Sequence, residues 1–275
     1  MGKSAKFFVI RMLRAIGLSI YAREAYNWCK YLLNTSERAA NKRLISQGAP
    51  DGLPLPPVKL VYLVSGRFDI VAYYKGGAGG AAGIKGLLQK NGVDMNTLGS
   101  ILDFGCGCGR TIRHWKSLTG PKIYGCDYNP RLVEWCKNNI GFAEFSTNGL
   151  NAKLGYEDGM FGFIYVISVF THFDKDRQVA WINELRRVIK NGGYLLITVH
   201  GRNRLSHLTE DERKQFESGS LVVVSGEEAG SNECAAYHPE RYVRDVLAQG
   251  FTVVDFVPGD IKGTSQDSYL LRKDG

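Results

Sequence analysis

From Gly99 onward short apolar runs alternate with amphipathic stretches. SILDFG, KIYGCD, GFAEF, FGFIYVISV and GYLLITVH are each bounded by Gly, Asn, Asp or Pro, the pattern of strands buried on both faces of a parallel sheet. Between them TIRHWKSL, PRLVEWCKNN and DRQVAWINELRRVIK carry helical spacing. Pro130 opens the second of these at its first turn, Asp174 is placed to cap the third, and Asn191 with Gly192 to stop it. Strand and helix repeated in this order predict an α/β, doubly wound sheet with right-handed crossovers. The tail departs from that rhythm. The helix PERYVRDVLAQG leads to FTVVDFVPG and, after a GDIKGTSQ turn, to DSYLLRK. Two strands with no helix between them must pair antiparallel, at the end of the sheet.

Upstream, helical spacing runs from Lys6 to about Leu33 and is followed by a polar piece, NTSERAANKRL. Residues 48–57, GAPDGLPLPP, hold four of the 8 prolines and read as an extended connector. VKLVYLVSG fits either a short strand or a helical turn. The glycine run KGGAGGAAGIKG at 75–86 reads as a loop before a helix at IKGLLQKNG, and it lacks the GxxxxGK[ST] order of a phosphate-binding loop. The expected organisation is therefore 1–57, helical extension and connector; 58–98, helical lead-in or lid; and 99–275, the sheet domain, with an insertion at 202–238. That insertion mixes a helix-like TEDERKQFESG with a β-prone LVVVSG. It leaves the fifth strand on the binding side and is expected to form one wall of an acceptor site, with the N-terminal helices forming another.

The N-terminal stretch KFFVIRMLRAIGLSIYA is apolar and basic, but Arg11, Arg14 and Arg23 break it well short of a membrane span of about 20 residues. It lacks a clean signal-peptide centre, and Lys6 stands where a myristoylation motif needs Ser or Thr. An amphipathic helix remains, packed on the protein or resting on a membrane or partner. At 275 residues with 44% hydrophobic composition the chain can fill a real core. Its net charge of +8 favours approach to phosphates or an anionic membrane without specifying either, because the charges are scattered. The 6 cysteines form no CxxC pair and no zinc-type pairing, so no metal is expected and free thiols in a cytoplasmic protein are the simpler account.

The chemistry concentrates in LDFGCGCGR, residues 102–110. A glycine-rich turn after the first strand lets backbone approach a nucleotide-like ligand where a Cβ would collide. Cys106 and Cys108 fit such a turn as small side chains. Gly105, Gly107 and Gly109 run GxGxG, with Arg110 where the dinucleotide fingerprint has its third glycine, which disfavours NAD. Asp127, at the end of the second strand, is placed to accept both hydroxyls of an unphosphorylated ribose.

In these residues the sequence resembles the class I S-adenosylmethionine-dependent methyltransferases of the bacterial small-molecule type, over about residues 99–275. LDFGCGCGR is similar to their first motif, IYGCDYNP to the second-strand acid motif, FGFIYVISVFTHF to the fourth strand and its loop, and ELRRVIKNGGYLLIT to the helix, turn and fifth strand. The resemblance implies a Rossmann-like seven-stranded sheet with an antiparallel last strand, plus the N-terminal helical extension, and S-adenosylmethionine as cofactor. It implies that Asp103 orders the loop and that Gly105, Cys106, Gly107 and Gly109 pass under the methionine part. Asp127 would hold the ribose, Tyr128 cover the adenine, and Asn148, Gly149 and Leu150 sit at its edge. Ile167, Ser168 and Val169 would line the methionine side. Family members often carry Asp where Gly162 stands and an acid where Asn148 stands.

A hydroxyl acceptor needs a base, and His172, after the fourth strand, and His200, after the fifth, lie where open α/β sheets bind ligands. Tyr237 and His238 are weaker candidates for substrate contact or a base. The expected activity is methyl transfer to an oxygen or nitrogen of a small molecule such as a sugar, lipid-linked precursor or secondary metabolite. Peripheral membrane contact through the N-terminal helix would suit a membrane-associated acceptor. RNA methylation is the alternative enzyme reading, less expected because no RNA-binding module or basic aromatic stripe is present. A non-catalytic cofactor-binding regulator is the alternative from another class.

Overall fold

The structure, a computed structural model, describes residues 19–225, 234–259 and 265–275. The chain forms two compact units, residues 1–72 and 73–275.

In the first unit lie α1 (Ser19–Leu33), α2 (Thr35–Gln47) and α3 (Val58–Ser65). The part of the expected first helix before Ser19 lies outside the described residues. The polar piece after it is itself α2: Asn34 Oδ1 accepts the Glu37 N–H at 3.2 Å and its amide donates back to the Glu37 carboxylate at 2.8 Å, a reciprocal start signal inside a polar run. VKLVYLVSG resolves as helix. The unit is centred on Phe68, stacked on Tyr62 with ring centroids 4.3 Å apart and met edge-on by Trp28 at 4.9 Å. Asn41 is buried there because it satisfies backbone, donating to the Phe68 carbonyl at 2.7 Å and accepting the Ile70 N–H at 2.9 Å.

The glycine run is not a loop but the interior of α4 (Ile70–Lys90). Its small residues serve contact rather than freedom. A Cβ on Gly77 would lie 2.0 Å from the Arg110 carbonyl oxygen, so the helix backbone presses directly on the glycine-rich turn of the sheet domain. Ala81, Ile84, Leu87 and Leu88 of the same helix are buried.

Seven strands form the sheet: β1 (Ser100–Phe104), β2 (Lys122–Asp127), β3 (Ala143–Thr147), β4 (Phe161–Val166), β5 (Ile189–Val199), β8 (Phe251–Val257) and β9 (Asp267–Lys273). Their order is β3-β2-β1-β4-β5-β9-β8, with β1 to β5 parallel and β9 antiparallel to both its neighbours. The expected architecture is thus present, including the antiparallel last strand. One face packs on α6 (Lys175–Val188) through Trp181, Ile182 and Leu185; the other carries α4 and α5 (Pro130–Asn139) through Val133 and Cys136.

Three boundaries differ from the sequence expectation. TIRHWKSL is a 3-10 turn, Ile112–Trp115, because Ile112, Arg113 and Trp115 are all buried, more of the circumference than an amphipathic helix can hide. Helix α6 ends at Val188 rather than at Asn191, and Ile189 already pairs with Phe161. The Asn-Gly-Gly turn is an irregularity within the β4–β5 register, with Gly192 at φ 71°. PERYVRDVLAQG keeps only a short α-helical piece, α8 (Glu240–Tyr242), before a π-helical turn over Val243–Leu247 in which Ala248 N–H donates to the Val243 carbonyl at 2.8 Å. The insertion holds α7 (Glu210–Glu217), started by a capping box on Thr209, and a two-stranded antiparallel sheet of β6 (Val222–Val224) and β7 (Ala235–Tyr237). No described helix is long and apolar enough to cross a membrane.

The helix-on-turn contact is open to a direct check. Gly77→Ala should destabilise the chain by about 1–3 kcal/mol because the turn must move. Gly86→Ala, in the same helix with nothing near its Cβ position, should stabilise it by about 1 kcal/mol. Urea midpoints that shift alike for both variants would refute the contact.

Candidate functional site

The turn after β1 is hung from the end of β2. The Gly105 and Cys106 N–H groups both donate to the Cys126 carbonyl, at 2.8 and 3.0 Å, and the Gly107 N–H donates to Asp127 Oδ2 at 2.9 Å. Gly105, Gly107 and Gly109 all take positive φ, at 81°, 56° and 82°, which is why alternate positions must be glycine. From above, Tyr73 of α4 donates its hydroxyl to the Cys108 carbonyl at 2.8 Å.

The thiols on this turn are filler. Hydrogen bonding to Cys136 and burial push the Cys106 thiol well up, and burial pushes Cys108 to about 12, so neither is a thiolate at neutral pH. None of the six cysteines is in a disulfide.

Asp103 ends β1, buried. Tyr165 of β4 donates its hydroxyl to the Asp103 carboxylate while accepting the Trp115 indole N–H at 2.9 Å. Asp127 Oδ1 accepts the Asn129 N–H at 2.9 Å, so both carboxylate oxygens are fixed by backbone yet keep lone pairs for hydroxyls. Burial raises its carboxyl above the ordinary range, opposed by those N–H bonds. Tyr128, next in the chain, is 51% exposed.

Asn148 lies beside this end of β2, its N–H on the Asp127 carbonyl at 3.1 Å. Its side-chain amide donates to the Gly149 carbonyl at 2.9 Å, which leaves Oδ1 buried with no partner among the described residues. An orphaned acceptor here fits the exocyclic amine of an adenine, the role an acid fills elsewhere. Gly149 and Leu150 follow it on the surface. The other departure has a packing cause: a Cβ on Gly162 would lie 1.9 Å from the Leu98 carbonyl oxygen.

At the end of β4, Val169 closes the cradle from the side: a Cβ on Gly105 would lie 2.3 Å from Val169 Cγ2. Ile167 packs with the α4 side of the sheet. Ser168 between them holds φ 61°, uncommon outside glycine. Three bonds hold it there: its N–H donates to Thr198 Oγ1 at 2.9 Å, its hydroxyl to Gln266 Oε1 at 3.0 Å, and its carbonyl accepts from Thr171 Oγ1 at 3.0 Å. Gln266 Oε1 also accepts from the Thr198 hydroxyl at 2.6 Å. Sequence reasoning missed Thr198 and Gln266. Ninety-eight residues separate Ser168 from Gln266, and only the antiparallel β9 beside β5 brings them together.

His172, in a 3-10 turn over Phe170–His172, has Nδ1 2.9 Å from the Cys234 carbonyl, at the start of the insertion's return strand. His200 bridges Tyr237 of β7, with ring centroids 5.4 Å apart. Burial, then the Arg204 guanidinium, lowers the His200 imidazole to about 4, so it is neutral at pH 7. Its Nδ1 is buried with no partner among the described residues. His238 is excluded from substrate contact. It is fully buried, its Nε2 lies 3.2 Å from Gln178 Oε1, and burial lowers it to about 3. Since the Gln178 amide donates to the Phe170 and Phe173 carbonyls, His238 donates to its oxygen and serves as an internal strut.

Comparisons with known proteins agree with this arrangement. Residues 102–197 match the family model described as a methyltransferase domain. The probable tRNA methyltransferase 9B of Bos taurus is 31% identical over 154 residues, covering 51% of this chain and 31% of that protein. Norajmaline N-methyltransferase of Rauvolfia serpentina is 26% identical over 182 residues, 64% of this chain and 59% of the relative. The chain thus spans less than two thirds of the length of these relatives. Among solved structures, an S-adenosylmethionine-dependent methyltransferase from Methanosarcina mazei superposes with TM-score 0.51 at 20% identity, over 68% of this chain and 97% of that one, a likeness of fold.

Burial moves the Asp103 carboxyl from 3.8 to about 7, against the pull of Tyr165 and Arg110. The folded chain therefore keeps this proton up to about pH 7 while the unfolded chain loses it near pH 4, so stability falls as pH rises through that window and levels off above it. Between about pH 5.5 and pH 8 the wild type should lose about 2 kcal/mol relative to Asp103→Asn, which cannot ionise. Urea titrations of both at the two pH values check this. A pH-independent difference between them would refute it.

Proposed function

We propose, from the premise that residues 102–197 constitute a class I S-adenosylmethionine-dependent methyltransferase domain, that the chain transfers the cofactor's methyl group to an oxygen or nitrogen of an acceptor held at the carboxyl ends of β4 and β5. The observation that carries this reading is the cradle itself: a positive-φ glycine turn tied through Gly107 to Asp127, with the orphaned Asn148 Oδ1 beside it.

The residues present fit the cofactor. Asp127 would accept the ribose hydroxyls, Tyr128 would lie over the adenine and Asn148 Oδ1 would accept its amine. The turn from Gly105 to Gly109, faced by Val169, would take the methionine part, with Asp103 behind it. When bound, the cofactor would supply an electrophilic methyl group for the acceptor's lone pair, leaving as the neutral thioether. The protein's share is then orientation and exclusion of water. A hydroxyl acceptor would also release a proton. His172 is suited to take it, because its Nδ1–H donates to the Cys234 carbonyl, which fixes the tautomer that carries a lone pair on Nε2. His200, held neutral down to about pH 4, is a weak base and suits a hydrogen-bonding role.

A small molecule is the first acceptor class, because the insertion borders the ends of β4 and β5 through Cys234 and Tyr237. RNA is a second reading, favoured by the relatives named tRNA methyltransferases and by the net charge of +8.

Calorimetry with S-adenosylmethionine and S-adenosylhomocysteine should show binding that weakens at least about tenfold in Asp127→Ala, the loss of charge-assisted bonds to a diol. Absence of binding to folded wild type would overturn the reading. Labelled methyl transferred into small-metabolite rather than RNA fractions of a cell extract would support the first acceptor class, and the reverse the second. With the labelled acceptor in hand, His172→Asn should slow transfer about 100-fold while leaving cofactor affinity unchanged. Binding without transfer to any fraction would leave a regulator.

A further inference from the structure

The tight turn that leaves β5 gathers positive charge. It begins at Gly201 and runs as a 3-10 helix over Arg202–His207, with the Arg204 N–H on the Gly201 carbonyl at 3.1 Å. Among the described residues Arg204 Nε is buried without a hydrogen-bond partner, and four residues earlier His200 Nδ1 is likewise buried and unpartnered. Two buried polar nitrogens left unmatched on one turn are costly unless a ligand completes them. Of the groups facing His200, the Arg204 guanidinium opposes a positive charge on the ring and the Ala236 carbonyl favours one.

The described carboxylates of the neighbourhood are already engaged. Glu212, which acts on Tyr237, accepts the Thr209 N–H and hydroxyl in the capping box of α7. Asp267 Oδ1 accepts the Gly259 N–H, and Oδ2 fills the space where a Cβ on Gly201 would stand. Neither pairs with Arg204. The turn adjoins the end of β5, and β7 links it to His172 at the end of β4, the strand end that also supplies Val169 to the cradle.

We propose that Arg204, with His200, forms an anion-recognising subsite that binds a carboxylate or phosphate group on the methyl acceptor. This rests on the methyltransferase reading and narrows it to acceptors bearing an anionic oxygen group close to the methylated atom. A guanidinium presents a planar fork that matches such groups. An anion seated there would also raise the proton affinity of His200, turning an unpaired nitrogen into a second donor.

The test uses the full chain with isotope-labelled histidine and follows the His200 ring resonances, assigned with His200→Gln, during titration with sodium phosphate or sodium acetate at constant ionic strength balanced with chloride. A saturable shift, weakened about tenfold or more in Arg204→Met and unchanged in Arg202→Met on the exposed side of the turn, is the expected result. Saturation by phosphate alone points to a phosphorylated acceptor, and saturation by acetate alone to a carboxylate. Should Arg204→Met fail to fold, Arg204→Lys keeps the charge but loses the fork and should bind several-fold more weakly than wild type.

No saturable shift, or one equal in the Arg204 variants, overturns the proposal. Glu227, Glu228 and Glu233 belong to the same insertion as Arg204. Replacing all three with Gln should leave anion affinity unchanged, and a marked tightening would mean that this chain's own carboxylate occupies Arg204 and overturn the proposal. A parallel calorimetric titration with S-adenosylmethionine separates the two layers. Cofactor binding with no anion response sinks the subsite alone, whereas an anion response without cofactor binding sinks the methyltransferase reading.

Discussion

Everything at the site depends on how the turn after β1 is tied to the end of β2. Two successive N–H groups, from Gly105 and Cys106, share the Cys126 carbonyl, and the next glycine donates to Asp127. Such a path is open only to a backbone that reverses sign of φ at alternate residues. The side chains between the glycines must be small and uncharged, and protonated buried thiols satisfy that requirement. The same ties hold Asp127 in one orientation before any ligand arrives, so the cost of ordering the acid is met in folding rather than in binding.

The turn is held from three other directions, each with its own chemistry. Above it, α4 brings a glycine against the Arg110 carbonyl and a tyrosine hydroxyl to the Cys108 carbonyl. Behind it, Trp115 and Tyr165 form a donor chain ending on Asp103, a buried carboxyl whose proton is retained to about pH 7. Beside it, Val169 is positioned by Ser168, whose left-handed conformation is sustained by Thr198, Gln266 and Thr171. The antiparallel β9 is therefore more than a topological marker. By delivering Gln266 beside β5 it completes the polar clamp that fixes the end of β4.

Much of this is legible in sequence because the signals are local. Buried parallel strands are unbroken apolar runs, and the GxGxG turn with an acid one strand later names both its geometry and its position. The long glycine run misleads for a physical reason. Glycine-rich composition signals flexibility in isolation, but within α4 Gly77 marks a place where two backbones touch, and the partner, Arg110, lies far along the chain. The short turn at Ile112–Trp115 misleads because periodicity reports amphipathic helices, and a segment enclosed on nearly all sides has no polar face to set a period. Thr198 and Gln266 carry no local signal at all.

The histidines show the same division between position and environment. Their spacing from strand ends puts His172 and His200 at the carboxyl ends of β4 and β5, and that placement depends only on topology. The neutrality of His200 follows from burial and then from the Arg204 guanidinium, in the turn that opens the insertion. His238, one residue beyond Tyr237, is enclosed and spent on Gln178, while His172 is oriented by a carbonyl from the same return strand. On a sheet that many chemistries share, the chain inserted after β5 supplies neighbours to both histidines, Cys234 to His172 and Tyr237 to His200. Where that insertion begins, it places an arginine nitrogen with no partner among the described residues beside a neutral imidazole. The cofactor cradle, built from β1, β2 and β4, meets that turn through the Ser168 clamp, whose Thr198 lies on β5 two residues before His200.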